Sequence, residues 1–144
     1  QIDHIYVSVF GIFVIETKNY TGWIFGSEKQ SKWTQVVYKQ KHYFQNPLCQ
    51  NYAHIKALSE LLQLPEEKFH SMVVFLGDCE LKTQMPPNVC RIRQAASYIR
   101  RFQTTLLLPQ EIEAATAVLS SNEYQADGEK LRAHTERLQE RHQR

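Results

Sequence analysis

A glycine, four apolar residues and then Glu16-Thr17-Lys18 occur in one unbroken run from Gly11 to Lys18. In a strand, residues two apart share a face. Glu16 and Lys18 therefore project together from the end of an otherwise buried strand. A carboxylate and an ammonium are costly to place there without partners or chemical work. Upstream, residues 1–10 alternate as a half-buried strand does and carry Asp3 near their start. A tight turn at Val9-Phe10-Gly11-Ile12 would join the two as a hairpin. Asp3 and Glu16 would then lie near the same end of neighbouring strands, with Lys18 beside them.

The rest of the chain reads as a mixed α/β order. Short strands are expected at 23–26 and 33–38, and residues 39–44 form a basic, aromatic strand end or loop. Asn46 caps a helix that opens on Pro47 and runs to about Leu64, where Pro65 stops it. Leu48, Tyr52, Ile55, Leu58, Leu61 and Leu62 form its apolar stripe, and Gln50 and His54 share another face. The apolar run 71–77 reads as a buried central strand, parallel to an early one because a helix precedes it. A polar loop at 78–87, a short strand at 88–92 and helices at 94–106 and 110–122 follow, with a charged helix from Glu129 to Arg144. The expected fold is a mixed central β-sheet flanked by helices. Its division is a domain over 1–108 and a C-terminal helical extension over 109–144.

Charge supports a phosphate-bearing ligand only weakly. The net charge is +2, but residues 1–108 hold 12 Lys/Arg against 8 Asp/Glu, and 109–144 hold 5 against 7. Cys49, Cys79 and Cys90 are dispersed and show no metal spacing, so reduced thiols in a cytoplasmic protein are expected. No apolar run reaches the roughly 20 residues that cross a bilayer, and no membrane association is expected. The chain opens within a strand pattern, so a natural N-terminus is expected upstream.

Asp3 and Glu16 would supply hard oxygen ligands for Mg²⁺, and the Thr17 carbonyl could add a third. Such a centre polarises a phosphoryl oxygen, and Lys18 would orient water or offset charge on phosphorus. Gln50 would hold the strand-end residues or a phosphate. Singly, each feature has a blander account. An isolated Glu-x-Lys is commonly a solvated pair worth about 0–1 kcal/mol. Asp3 alone suits a turn, Gln50 alone an exposed helix face, and His4 and His54 packing or hydrogen bonding. Trp23 and Trp33 suit a core or sheet face. Lys39, Lys41 and His42 with Tyr43 and Phe44 suit a solvated loop, with nucleic-acid contact the less favoured account. Arg91, Arg93, Arg100 and Arg101 are the densest basic group. Phosphate-loop, dinucleotide and hydrolase-elbow motifs are absent.

The residues Gln-Ile-Asp-His-Ile, Gly-Ile-Phe-Val-Ile-Glu-Thr-Lys-Asn-Tyr, a Gly-Trp-Ile-x-Gly turn, a following Trp and Asn-Pro-x-x-Gln-Asn occur in that order. Together they resemble the nuclease-related domain, NERD, most densely over residues 1–60. That family looks like a branch of the PD-(D/E)XK nuclease superfamily, with a restriction-endonuclease-like αβββαβ core whose first helix is missing here. The resemblance implies DNA cleavage dependent on Mg²⁺ or Mn²⁺. It places the catalytic set at Asp3, Glu16, Lys18 and Gln50, with metal held by Asp3, Glu16 and Thr17. The alternative is a catalytically inactive nuclease-fold module that binds nucleic acid or a protein partner. Self-association through the terminal helix is a further expectation.

Overall fold

The computed structural model describes residues 4–121. Asp3 and the terminal helix expected at 129–144 lie outside them. Strand β1 (His4–Ser8) turns through Val9 and Phe10 into β2 (Gly11–Asn19), pairing antiparallel with His4 opposite Ile15 and Ser8 opposite Gly11. Then come β3 (Gly22–Phe25), β4 (Lys32–Val37), β5 (Gln40–Gln45), α1 (Pro47–Leu62), β6 (Phe69–Leu76), β7 (Cys79–Leu81), β8 (Val89–Arg91), α2 (Ile92–Ile99) and α3 (Pro109–Leu119). The architecture is the α/β one expected of a restriction-endonuclease-like core. Its strands divide into two four-stranded mixed sheets, ordered β1-β2-β6-β8 and β5-β4-β3-β7.

One corner joins the two sheets. The parallel pair β2–β6 leads into the parallel pair β3–β7. At the corner the Tyr20 amide donates to the Leu76 carbonyl and the Gly22 amide to that of Asp78. Gly22 and Gly77 hold φ of 86° and 84° there. A β-carbon on Gly22 would lie 2.3 Å from the Val36 carbonyl oxygen, and one on Gly77 2.5 Å from that of Tyr20. Only glycine fits either spot.

Strand β6 is central, parallel to β2 on one side and to β8 on the other. Its all-apolar stretch follows from cover on both faces. Phe69 joins Ile12, Val14, Ile55, Leu58, Leu107 and Ala115 in one apolar cluster. Val73 and Phe75 join Ile24 and Trp33 in a second. Met72, Val74 and Leu76 join Cys90 in a third, closed by Tyr98 and Ile99 of α2. Helix α3 packs on the first cluster through Ala115, so the described part of the 109–144 segment shares the core of the preceding residues.

Several local expectations differ from the structure. Residues 40–45, read as a strand end or loop, are a full edge strand, closed onto β4 by Tyr38 and Lys39 at φ of 49° and 68°. The 78–87 loop contains β7, held by its parallel partner β3. Helix α1 ends at Leu62, because Gln63 is left-handed and its amide turns back to Glu60 and Ser59. Tyr52 is 58% exposed and stands off the apolar stripe, whose buried members are Pro47, Asn51, Ile55 and Leu58. Helix α2 stops at Ile99, since the Leu106 and Leu107 amides donate to the Val9 carbonyl and draw that segment out extended.

Candidate active site

Strand β2 carries Ile12 and Val14 on the face covered by α1, and the two-residue period puts Glu16 and Lys18 on that same face. Glu16 is only 7% exposed. Lys18 Nζ lies 3.3 Å from Glu16 Oε1. The shared projection read from the sequence is thus present, as a largely buried ion pair rather than a solvated one. Val73 and Phe75 flank the pair from β6, opposite Glu16 and Lys18 in the parallel register. These apolar neighbours lower the local dielectric, which strengthens the attraction and raises the cost of removing either partner.

Helix α1 is set over this strand by two buried asparagines. Asn46 accepts from the Leu48 amide at 2.9 Å as the N-cap. Its amide nitrogen donates to the carbonyls of Ser27, Glu28 and Gln30, tying the helix start to the β3–β4 turn. Asn51 donates to the Val14 carbonyl at 2.7 Å, to the Met72 carbonyl at 3.2 Å and to Ser71 Oγ at 3.0 Å. It therefore pins the second turn of α1 across β2 and β6, two residues before Glu16. Reading the sequence for chemistry passed over Asn51. Its signal was an amide on the stripe that also carries Ile55 and Leu58.

Gln50 precedes this pin. Its Oε1 is buried and meets no hydrogen-bond donor among the described residues. A buried acceptor in that state suits a bound donor or cation. Glu16 and Gln50 each carry an oxygen of the hard kind that Mg²⁺ or Mn²⁺ takes, and Thr17 is the residue between Glu16 and Lys18 in β2. Asp3 lies outside the described residues, one position before His4, whose partner is Ile15. Among the described residues no group of three His, Cys, Asp or Glu side chains converges as a metal centre.

Other candidates fall elsewhere. Trp33 is fully buried, with its ring nitrogen donating to the Ser27 carbonyl. Trp23 is 49% exposed. Arg93, Arg100 and Arg101 are exposed along and after α2, and Arg101 lies over the Tyr98 ring. Arg91 instead borders an open cavity of about 760 Å³ at the sheet corner, together with Trp23, Lys39, Asp78 and Glu80. That cavity is lined by neither Glu16 nor Lys18. Among the described residues no helix is long and apolar enough to cross a membrane.

Comparison with known proteins places the chain in a family. The model of the nuclease-related domain, NERD, matches residues 1–76, which is more than half of the chain. An uncharacterised protein of Bacillus anthracis, pXO1-01, is 54% identical over 84 residues, 57% of this chain and 38% of its own length. The chain thus spans well under half of that relative. No solved structure matches. The matched residues contain β1, β2, α1 and β6, the elements that carry and frame Glu16 and Lys18. The chain belongs to the nuclease-related domain family.

Proposed function

We propose that this domain hydrolyses DNA phosphodiester bonds with the help of Mg²⁺ or Mn²⁺. The observation that carries the reading is the buried Glu16–Lys18 pair at the end of β2, 3.3 Å apart. A surface pair needs no such burial, and a purely structural strand would be cheaper with apolar residues there. Asp3 is proposed as the second carboxylate and the Thr17 carbonyl as a third oxygen. A bound divalent ion supplies charge neutralisation at the phosphate and activation of a water.

The chain's own residues do the rest. Glu16 presents an anionic oxygen that would hold a cation, and that cation would offset the repulsion between the carboxylate and an anionic substrate. Lys18 places a cation beside it and offsets charge that builds on the attacked phosphate. Gln50 offers its buried oxygen to orient a water or a ligand of the ion. Asn51 holds α1, and with it Gln50, at a fixed height over the strand.

Incubation of the chain with linear and circular DNA and Mn²⁺ tests this. Cleavage is expected, abolished by EDTA and by Glu16→Ala or Lys18→Ala. Cleavage that survives both substitutions rules out this site. Metal-independent, salt-sensitive DNA binding with no cleavage under any divalent ion supports the inactive-module alternative instead.

A further inference from the structure

Residues 29–59 hold five lysines and two histidines and no aspartate or glutamate. The segment contains all of β4 and β5. The ladder β5-β4-β3 sets its side chains on two faces. Ile24, Trp33 and Phe44 point into the core. The register Trp23–Val36–Lys41 and Phe25–Thr34–Tyr43 puts Trp23, Lys41 and Tyr43 on the other face, and Lys32 joins them by alternation. Tyr43 is 67% exposed. Lys82 Nζ sits 4.7 Å over the Trp23 ring centroid. Glu80, the acid opposite Trp23, pairs with that same lysine at 3.4 Å.

We infer that this outer sheet face is a stacking platform for single-stranded DNA, with Tyr43 and Trp23 receiving bases and Lys32, Lys41 and Lys82 facing phosphates. The inference rests on the DNA reading above and adds the strand state of the substrate. Exposed rings between cations match what unpaired strands require, since every base has a π-face and every linkage a charge. An apolar protein partner would require contiguous apolar area, and here lysines interrupt it. The strands that bear this face are tied to the end of β2 from their opposite, core-facing side. Phe44, which follows Tyr43 on β5, packs edge-on against Tyr20 at 4.8 Å, and Gln35 donates to the Thr21 carbonyl at 2.8 Å. Tyr20 lies two residues beyond Lys18.

Fluorescence anisotropy of the full chain in EDTA tests the platform apart from cleavage. The probes are labelled oligothymidylate of about 20 nucleotides, longer than the ~4–16 such surfaces cover, and a duplex of equal length. The single strand is expected to bind at least about tenfold tighter. Tyr43→Ala should weaken it by about tenfold or more and Tyr43→Phe restore it. Lys41→Gln should lower the salt slope by about 0.7. Thermal melts confirm that these exposed substitutions leave the fold intact. The inference is overturned if the parent binds no DNA, if the duplex binds as tightly, if Tyr43→Ala and Lys41→Gln bind as the parent does, or if poly-glutamate competes as well as DNA. Loss of cleavage in Glu16→Ala with binding kept supports both readings. Binding as expected without any cleavage by the parent sinks the nuclease reading alone.

Discussion

Lys18 Nζ stands 3.3 Å from Glu16 Oε1 on the face of β2 that Ile12 and Val14 bury under α1. Both side chains are mostly removed from water, so the pair differs from the exposed Lys82–Glu80 contact at nearly the same distance. Lys18→Met should therefore cost about 1.5–3 kcal/mol, the range for losing a charged hydrogen-bond partner. Lys82→Met should cost under about 1 kcal/mol. Urea titration at neutral pH separates them, and equal losses would show that burial does not distinguish the two pairs.

Asn51 contributes no chemistry of its own to the proposed reaction and yet should be among the least replaceable residues. Its amide nitrogen serves acceptors on two strands. Asn51→Ala should destabilise the domain by at least about 2 kcal/mol. Asn51→Asp should cost more, because it replaces the donor with a buried carboxylate facing carbonyl oxygens. Differential scanning calorimetry reads both, and an Asp variant that melts with the parent would refute the assignment.

The corner glycines give a steric prediction. Gly77→Ala and Gly22→Ala each force a β-carbon against backbone oxygen at positive φ. Each should lower stability by about 1–3 kcal/mol. Both lie outside the proposed site, so cleavage per folded molecule should persist where the variant folds. A melting temperature equal to the parent's would contradict the geometry.

The thiols should separate by burial. Cys49 is exposed, whereas Cys79 and Cys90 are buried. Burial pushes both buried thiols above their ordinary value of 9.0, partly countered at Cys79 by Arg91. A disulfide reagent at pH 8 should modify Cys49 rapidly and the other two only on unfolding. A raised folded value favours the protonated form, so this contribution is complete below pH 9 and is lost as pH rises through the folded values. Cys90→Ala should flatten the alkaline loss of stability. Rapid modification of all three in the native state would overturn the placement.

The sequence exposed the strand that carries the candidate site more clearly than the outer strands. The Glu-x-Lys after four apolar residues announced both the strand and the shared face, since a period of two leaves no other arrangement. The Asn46-Pro47 start announced α1, because a cap and a first-turn proline each answer a stated backbone need. The β4–β5 turn was hidden, since Tyr38 and Lys39 adopt positive φ without the glycine or asparagine that normally marks it. Strand β5 was hidden because its solvent-facing side chains blur any alternation. The end of α2 was hidden because residues 100–106 contain no breaker. Two distant amides on the Val9 carbonyl, and the burial of Leu107, decide it.

Strand β6 ends at Leu76, the same residue at which the family match ends. Yet β6 supplies side chains to all three apolar clusters, and Cys90, Ala95, Tyr98 and Ile99, all beyond Leu76, cover most of the third. A chain cut at that boundary would leave Met72, Val74 and Leu76 facing water along one whole side of its central strand. The stretch that marks kinship is therefore shorter than the stretch that can stand alone, and the residues that finish the job come from beyond the shared signature.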